Sequence, residues 1–160
     1  MIDFLAGNWG NVASVAGLVF SILAFVFSKR ASTAAREARN AAFLRSLSEE
    51  MNGANRTSGE IVTYVAMERG DMALLRTSEL MNQTSYFMAR WDNILLEGSK
   101  NNLLSVREQL HFIHEVLTKG PVTGLSPKAK AQLIQACQRV NATFSEEYGH
   151  AVKASEGEAR

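Results

Sequence analysis

The stretch FLAGNWGNVASVAGLVFSILAFVFS, Phe4 to Ser28, holds 25 residues without one charged side chain and stops at Lys29-Arg30. As a helix it would reach about 37 Å at about 1.5 Å per residue, more than the roughly 30 Å hydrocarbon core of a bilayer. A cleaved secretory signal would carry its cations ahead of a shorter apolar run. Here only Asp3 precedes the run, while Lys29, Arg30, Arg36, Arg39 and Arg45 follow it. That asymmetry predicts a single-pass anchor with its C-terminal side in the cytoplasm. Trp9 suits the outer interface, where an amphipathic indole sits at headgroup level. A core helix of a soluble protein is the competing reading.

Beyond the run, Ala31, Ala34, Ala35, Ala38, Ala41 and Ala42 lie among arginines and Glu37 in strong helix-forming sequence, so the membrane helix is expected to run on past the lipid. The cations of this segment suit anionic headgroups. Asn52-Gly53-Ala54-Asn55 is the first cluster of poor helix formers and predicts a break. The expected organisation is an anchor over 1–28, a basic Ala-rich juxtamembrane helix over 29–52, a cytosolic helical domain over 53–153 and a disordered tail over 154–160. The 160-residue chain carries a net charge of only +1. Its lone Cys137 excludes an intramolecular disulfide and suits a reducing compartment. Acceptor-like triplets at Asn55, Asn82 and Asn141 read as chance matches on that side of a membrane.

The apolar spacing beyond the anchor is helical throughout. Ile61 to Met67 form a short apolar segment, read as helix because no second strand-like run exists to pair with it. Asp71 is placed to cap a helix whose face carries Leu80, Phe87, Trp91 and Ile94 and which is expected to end at Gly98. Leu103, Val106, Leu110, Ile113 and Leu117 alternate spacings of three and four, the seam of a bundle or coiled coil. Gly120-Pro121 ends that helix. Ser126-Pro127 supplies an N-cap and a first-turn proline, and Leu133, Cys137, Val140, Phe144 and Tyr148 form the last buried stripe. The fold class is all-α: a transmembrane helix continuing into a stalk, then a small helical bundle, oligomeric, with short loops making neighbours antiparallel.

No phosphate loop, nucleophile elbow or zinc-binding helix motif occurs, so no enzymatic activity, cofactor, metal or duplex nucleic acid is expected. His111 and His114, flanked by Glu108 and Glu115, form too sparse a set for a metal, and Cys137 falls on an apolar stripe as an inert thiol. Two other patterns carry function. Inside the anchor, Ala13, Gly17 and Ser21 recur every fourth residue, spacing that lets helix backbones approach closely in lipid and points to a homo-oligomer. On the later helices, Arg107, His111 and His114 stack beside one seam, and Lys128, Gln132, Gln135 and Arg139 beside another. Repeated around a symmetry axis, these stripes would give an anionic ligand several charge-assisted contacts.

In layout, with the run Asn11-Val12-Ala13-Ser14-Val15-Ala16-Gly17 leading into Lys29-Arg30 and a helical remainder, the chain resembles the membrane-anchored effectors of type III CRISPR antiviral systems. The resemblance implies a protein of a prokaryotic inner membrane whose oligomeric cytosolic domain binds a cyclic oligoadenylate and alters membrane integrity through clustered anchors. No motif of that family maps position by position, so the ligand-binding candidates Arg107, His111, His114, Lys128 and Arg139 rest on spacing alone. The alternative is a membrane-tethered adaptor that acts by protein–protein contact and takes no small ligand.

Overall fold

The computed structural model describes residues 2–157, with side chains described at 14 and 17–156. Four α-helices and one short 3-10 turn follow in order: α1 (Ile2–Ala66), α2 (Gly70–Trp91), α3 (Glu97–Lys119), the turn at Val122–Gly124, and α4 (Pro127–Gly157). No strand occurs among the described residues. The chain divides into two compact units, Met1–Ala42 and Phe43–Arg160.

In the first unit, α1 is long and apolar enough to cross a membrane by length and composition. Leu18, Val19, Phe20, Ile22, Leu23, Phe25, Val26 and Phe27 are all exposed. The side chains of Trp9 and Ala13 lie outside the described residues.

The second unit is a four-helix bundle in which every helix contributes one seam. The buried seam positions are Leu47, Met51, Ala54, Ser58, Ile61 and Val65 on α1; Ala73, Thr77, Leu80, Thr84, Phe87 and Trp91 on α2; Leu103, Val106, Leu110, Ile113 and Leu117 on α3; and Leu133, Cys137, Val140, Phe144, Glu147 and Ala151 on α4. Each seam alternates steps of three and four, the repeat that keeps one stripe facing inward as helices pack nearly parallel. Cross-helix bonds give the directions. Glu50 meets Trp91 while Glu60 meets Arg76, so α1 and α2 are antiparallel. Ser58 meets Asn141 while Glu68 meets Lys130, so α1 and α4 are antiparallel too.

The bundle differs from the sequence expectation in five places. The break expected at Asn52–Asn55 is absent, and α1 continues to Ala66. Met51, Ala54 and Ser58 are buried there, Thr57 donates to the Gly53 carbonyl at 3.1 Å, and Asn55 Oδ1 accepts from Ser145 at 2.8 Å. Packing supplies what propensity withholds. The compact unit that holds the bundle begins at Phe43.

Asp71 is not a cap: α2 starts at Gly70 after Arg69, and no side chain caps it. The corner is instead built from the end of α1. Glu68 sits at φ 59°, its N–H bonds the Val65 carbonyl at 3.1 Å, and Arg69 N–H reaches the Tyr64 carbonyl at 2.9 Å. This is the Schellman pattern, with glutamate where glycine is usual. The second helix ends at Trp91 and the third starts at Glu97, so Gly98 lies inside α3 and Ile94 is exposed in the connection.

The last seam passes through Glu147, not Tyr148, which is only half-buried. Finally, α4 extends to Gly157, so the tail expected from residue 154 is helical over its first four residues. Two helix ends fall where expected: Lys119 ends α3 before Gly120-Pro121, and Ser126 Oγ accepts from Ala129 N–H at 3.3 Å ahead of Pro127, a first-turn cap.

Candidate functional site

Three regions hold the candidate residues. The first is the apolar surface of α1 around Gly17 and Ser21. Ser21 donates its hydroxyl to the Gly17 carbonyl at 2.8 Å, so its polar atom is satisfied within the helix as a lipid environment demands. A Cβ at Gly17 would meet nothing within 4 Å. The strip is therefore open to an approaching backbone. Thr33 likewise donates to the Lys29 carbonyl at 3.1 Å.

The second region holds the anion-binding candidates. Arg107 and His111 on α3 and Lys128 and Arg139 on α4 are exposed, while His114 is half-buried. His111 and His114 line one shallow depression with Glu115, Thr118 and Lys119. Lys119 Nζ contacts Glu115 Oε1 at 2.6 Å, and this hydrogen bond holds the Glu115 carboxyl below its ordinary range. An anion entering the depression meets that carboxylate as well as the imidazoles. Arg107, Lys128 and Arg139 do not line it. No hydrogen bond or ion pair joins the five candidates to one another among the described residues. Nor does any group of three His, Cys, Asp or Glu side chains there stand close enough to hold a metal ion. Cys137 is buried, and burial pushes its thiol up to about 12, so the reactive thiolate is suppressed near neutrality.

The third region was passed over in the sequence because a charged residue occupies a core position. Glu147 lies on the α4 seam and is only 3 % exposed. Its Oε1 accepts from Asn102 Nδ2 at 2.7 Å, while its Oε2 stands 4.0 Å from His150 Nδ1, beyond hydrogen-bond reach. Beside it opens an apolar cleft of about 120 Å³ walled by Leu47 and Met51 of α1, Leu95 and Leu96 of the α2–α3 connection, and Ala151 and Ala154 of α4. Continuing the three-four alternation from Val140 and Phe144 would have reached position 147, which is the signal that locates it.

A second groove of about 340 Å³ runs between Glu50, Gly53, Thr84, Tyr86, Phe87 and Phe144. Two of its polar side chains, Glu50 and Thr84, are already committed. Glu50 binds Trp91 and Arg90, and Thr84 donates to the Leu80 carbonyl at 2.7 Å. Comparison of the chain with protein-family models, with curated proteins and with solved structures finds no match in any of the three.

Proposed function

We propose that this protein is a single-pass membrane-tethered interaction module: α1 anchors it, and the bundle beginning at Phe43 is the binding domain. The observation that carries this reading is the wholly exposed apolar run from Leu18 to Phe27, followed at once by Lys29 and Arg30. Eight large apolar side chains in water would be a severe liability for a soluble monomer; in lipid they are solvated. Cations at the end of the run favour a cytoplasmic bundle. A reporter fused after Arg160 tests this: activity only on the cytoplasmic side supports the reading, and activity on the opposite side overturns the orientation. Clustering through Ala13, Gly17 and Ser21 extends it, and Gly17→Ile should weaken association in a membrane two-hybrid assay while Val19→Ile should not.

A second reading is favoured by the exposed, uncommitted cations of α3 and α4. In it the tethered bundles assemble in a prokaryotic inner membrane, and Arg107, His111, His114, Lys128 and Arg139 of several copies surround a cyclic oligoadenylate. Binding would reorganise the anchors and compromise the bilayer. Titration of the full chain in nanodiscs with cyclic tri-, tetra- and hexa-adenylate tests it. Saturable binding that weakens with salt and with Arg107→Ala or Arg139→Ala would support it; no binding by any of the three would leave the adaptor reading.

A further inference from the structure

We propose that the surface of α1 just beyond its apolar run binds the headgroup of a phospholipid that carries both a phosphate and a primary ammonium group. One shallow depression runs along this face of the helix, and its chemistry changes in order along the chain. Phe25 and Val26 open it with apolar side chains, Lys29 and Arg30 follow with two cations, and Glu37 closes it with a carboxylate, all of them exposed. Between them Thr33 has already donated its hydroxyl to the Lys29 carbonyl at 3.1 Å, and Ala34 adds only a methyl group. No ion pair among the described residues involves Lys29, Arg30 or Glu37; the first along the chain is Arg45–Glu49. Two cations and a carboxylate on one helix face are thus open to a ligand.

The occupant follows from that order. An acyl chain suits the apolar end, and a phosphate suits the neighbouring ammonium and guanidinium through charge-assisted hydrogen bonds. A primary ammonium beyond the phosphate then suits Glu37. This carboxylate lies about two turns, or about 10 Å, past Arg30 along the helix, and its side chain leans back toward the helix N-terminus, so an amine extending from a phosphate on Arg30 approaches it. A free phosphate compound would leave Phe25 and Val26 unused. A choline headgroup has the positive charge but no N–H to donate, and a glycerol headgroup leaves Glu37 beside the phosphate as a like charge. The two cations alone would suit any anionic bilayer; Glu37 narrows the choice to an amine. The site rests on the membrane tether proposed above and adds which lipid that tether selects.

The test places the full chain in phosphatidylcholine nanodiscs and replaces part of that lipid with phosphatidylethanolamine or, separately, phosphatidylglycerol, while NMR follows the Glu37 carboxyl carbon and Arg30 Nε. Phosphatidylethanolamine should shift both signals saturably and bind about threefold tighter than phosphatidylcholine, the scale of one exposed ion pair. Phosphatidylglycerol should shift Arg30 alone. Glu37→Gln should remove the preference read at Arg30 Nε, while Glu49→Gln, also at an exposed helix position but outside the depression, should leave it unchanged. Equal shifts of Glu37 with both added lipids, or a preference that survives Glu37→Gln, would overturn the proposal. A chain that enters nanodiscs of every composition but prefers no lipid overturns the site alone, whereas one that enters none overturns the tether with it.

Discussion

The Glu50 carboxylate accepts the indole N–H of Trp91 at 2.8 Å, tying the middle of α1 to the last residue of α2. Its other oxygen pairs with Arg90, whose guanidinium also lies 4.9 Å over the Trp91 ring. Phe43 meets the same ring edge-on, with centroids 6.2 Å apart. Trp91 is 2 % exposed, so its polar atom has no water to fall back on. Glu50→Ala is therefore expected to cost about 2 kcal/mol, the range for a hydrogen bond to a charged group with its partner left buried. Trp91→Phe should cost less than Trp91→Ala, for which about 4 kcal/mol is expected. Chemical denaturation of the three variants checks the order.

Two glycines should respond oppositely to the same change. Gly53 sits inside α1, where an added Cβ would meet nothing within 4 Å, whereas a Cβ at Gly70 would stand 3.2 Å from Val122 Cγ2, against a buried side chain. Gly53→Ala should gain about 0.5–1 kcal/mol from helix propensity. Gly70→Ala should lose about 1 kcal/mol by overpacking. Thermal unfolding should show the first above the parent by about 2 °C and the second below it.

The legible part of the fold lay where apolar residues alone mark the seams. Leu103 to Leu117 define α3 and its buried face without ambiguity, and Ser126-Pro127 marks the start of α4. What escaped were seam positions occupied by polar residues. Ser58, Thr77, Thr84 and Glu147 are all buried, and three of them hide their polarity in helix carbonyls: Ser58 bonds Asn55 O, Thr77 bonds Ala73 O, and Thr84 bonds Leu80 O. A hydroxyl that returns to its own helix counts as apolar to the core, but a composition-based reading scores it as surface. That is why the α1 seam fades from view after Met51 and spacing predicts a break around Gly53. The site suffers likewise: exposed cations on α3 and α4 stand out in sequence, while Glu147, which the three-four spacing of α4 reaches, is passed over because it is charged.

The buried thiol gives a pH signature. Burial raises Cys137 from 9.0 to about 12, so below pH 9 both folded and unfolded chains keep it protonated and its contribution to stability is complete. Above that, the unfolded chain gains by ionising and the folded one does not, so stability should fall as pH rises toward about 12. The slope is on the order of 1 kcal/mol per pH unit. The difference between parent and Cys137→Ala isolates it from lysines and tyrosines that titrate in the same window. Iodoacetamide at pH 8 should leave the native thiol unmodified and label it after denaturation; rapid labelling of the native protein would contradict its burial.

Whether α1 crosses a lipid bilayer is decided most directly by alkaline carbonate extraction of membranes carrying the full chain, beside a chain lacking residues 1–28. The exposed apolar run from Leu18 to Phe27 predicts that the full chain stays in the membrane pellet and that the shortened one appears in the supernatant. Recovery of the full chain in the carbonate supernatant would contradict the tether on which the functional reading stands.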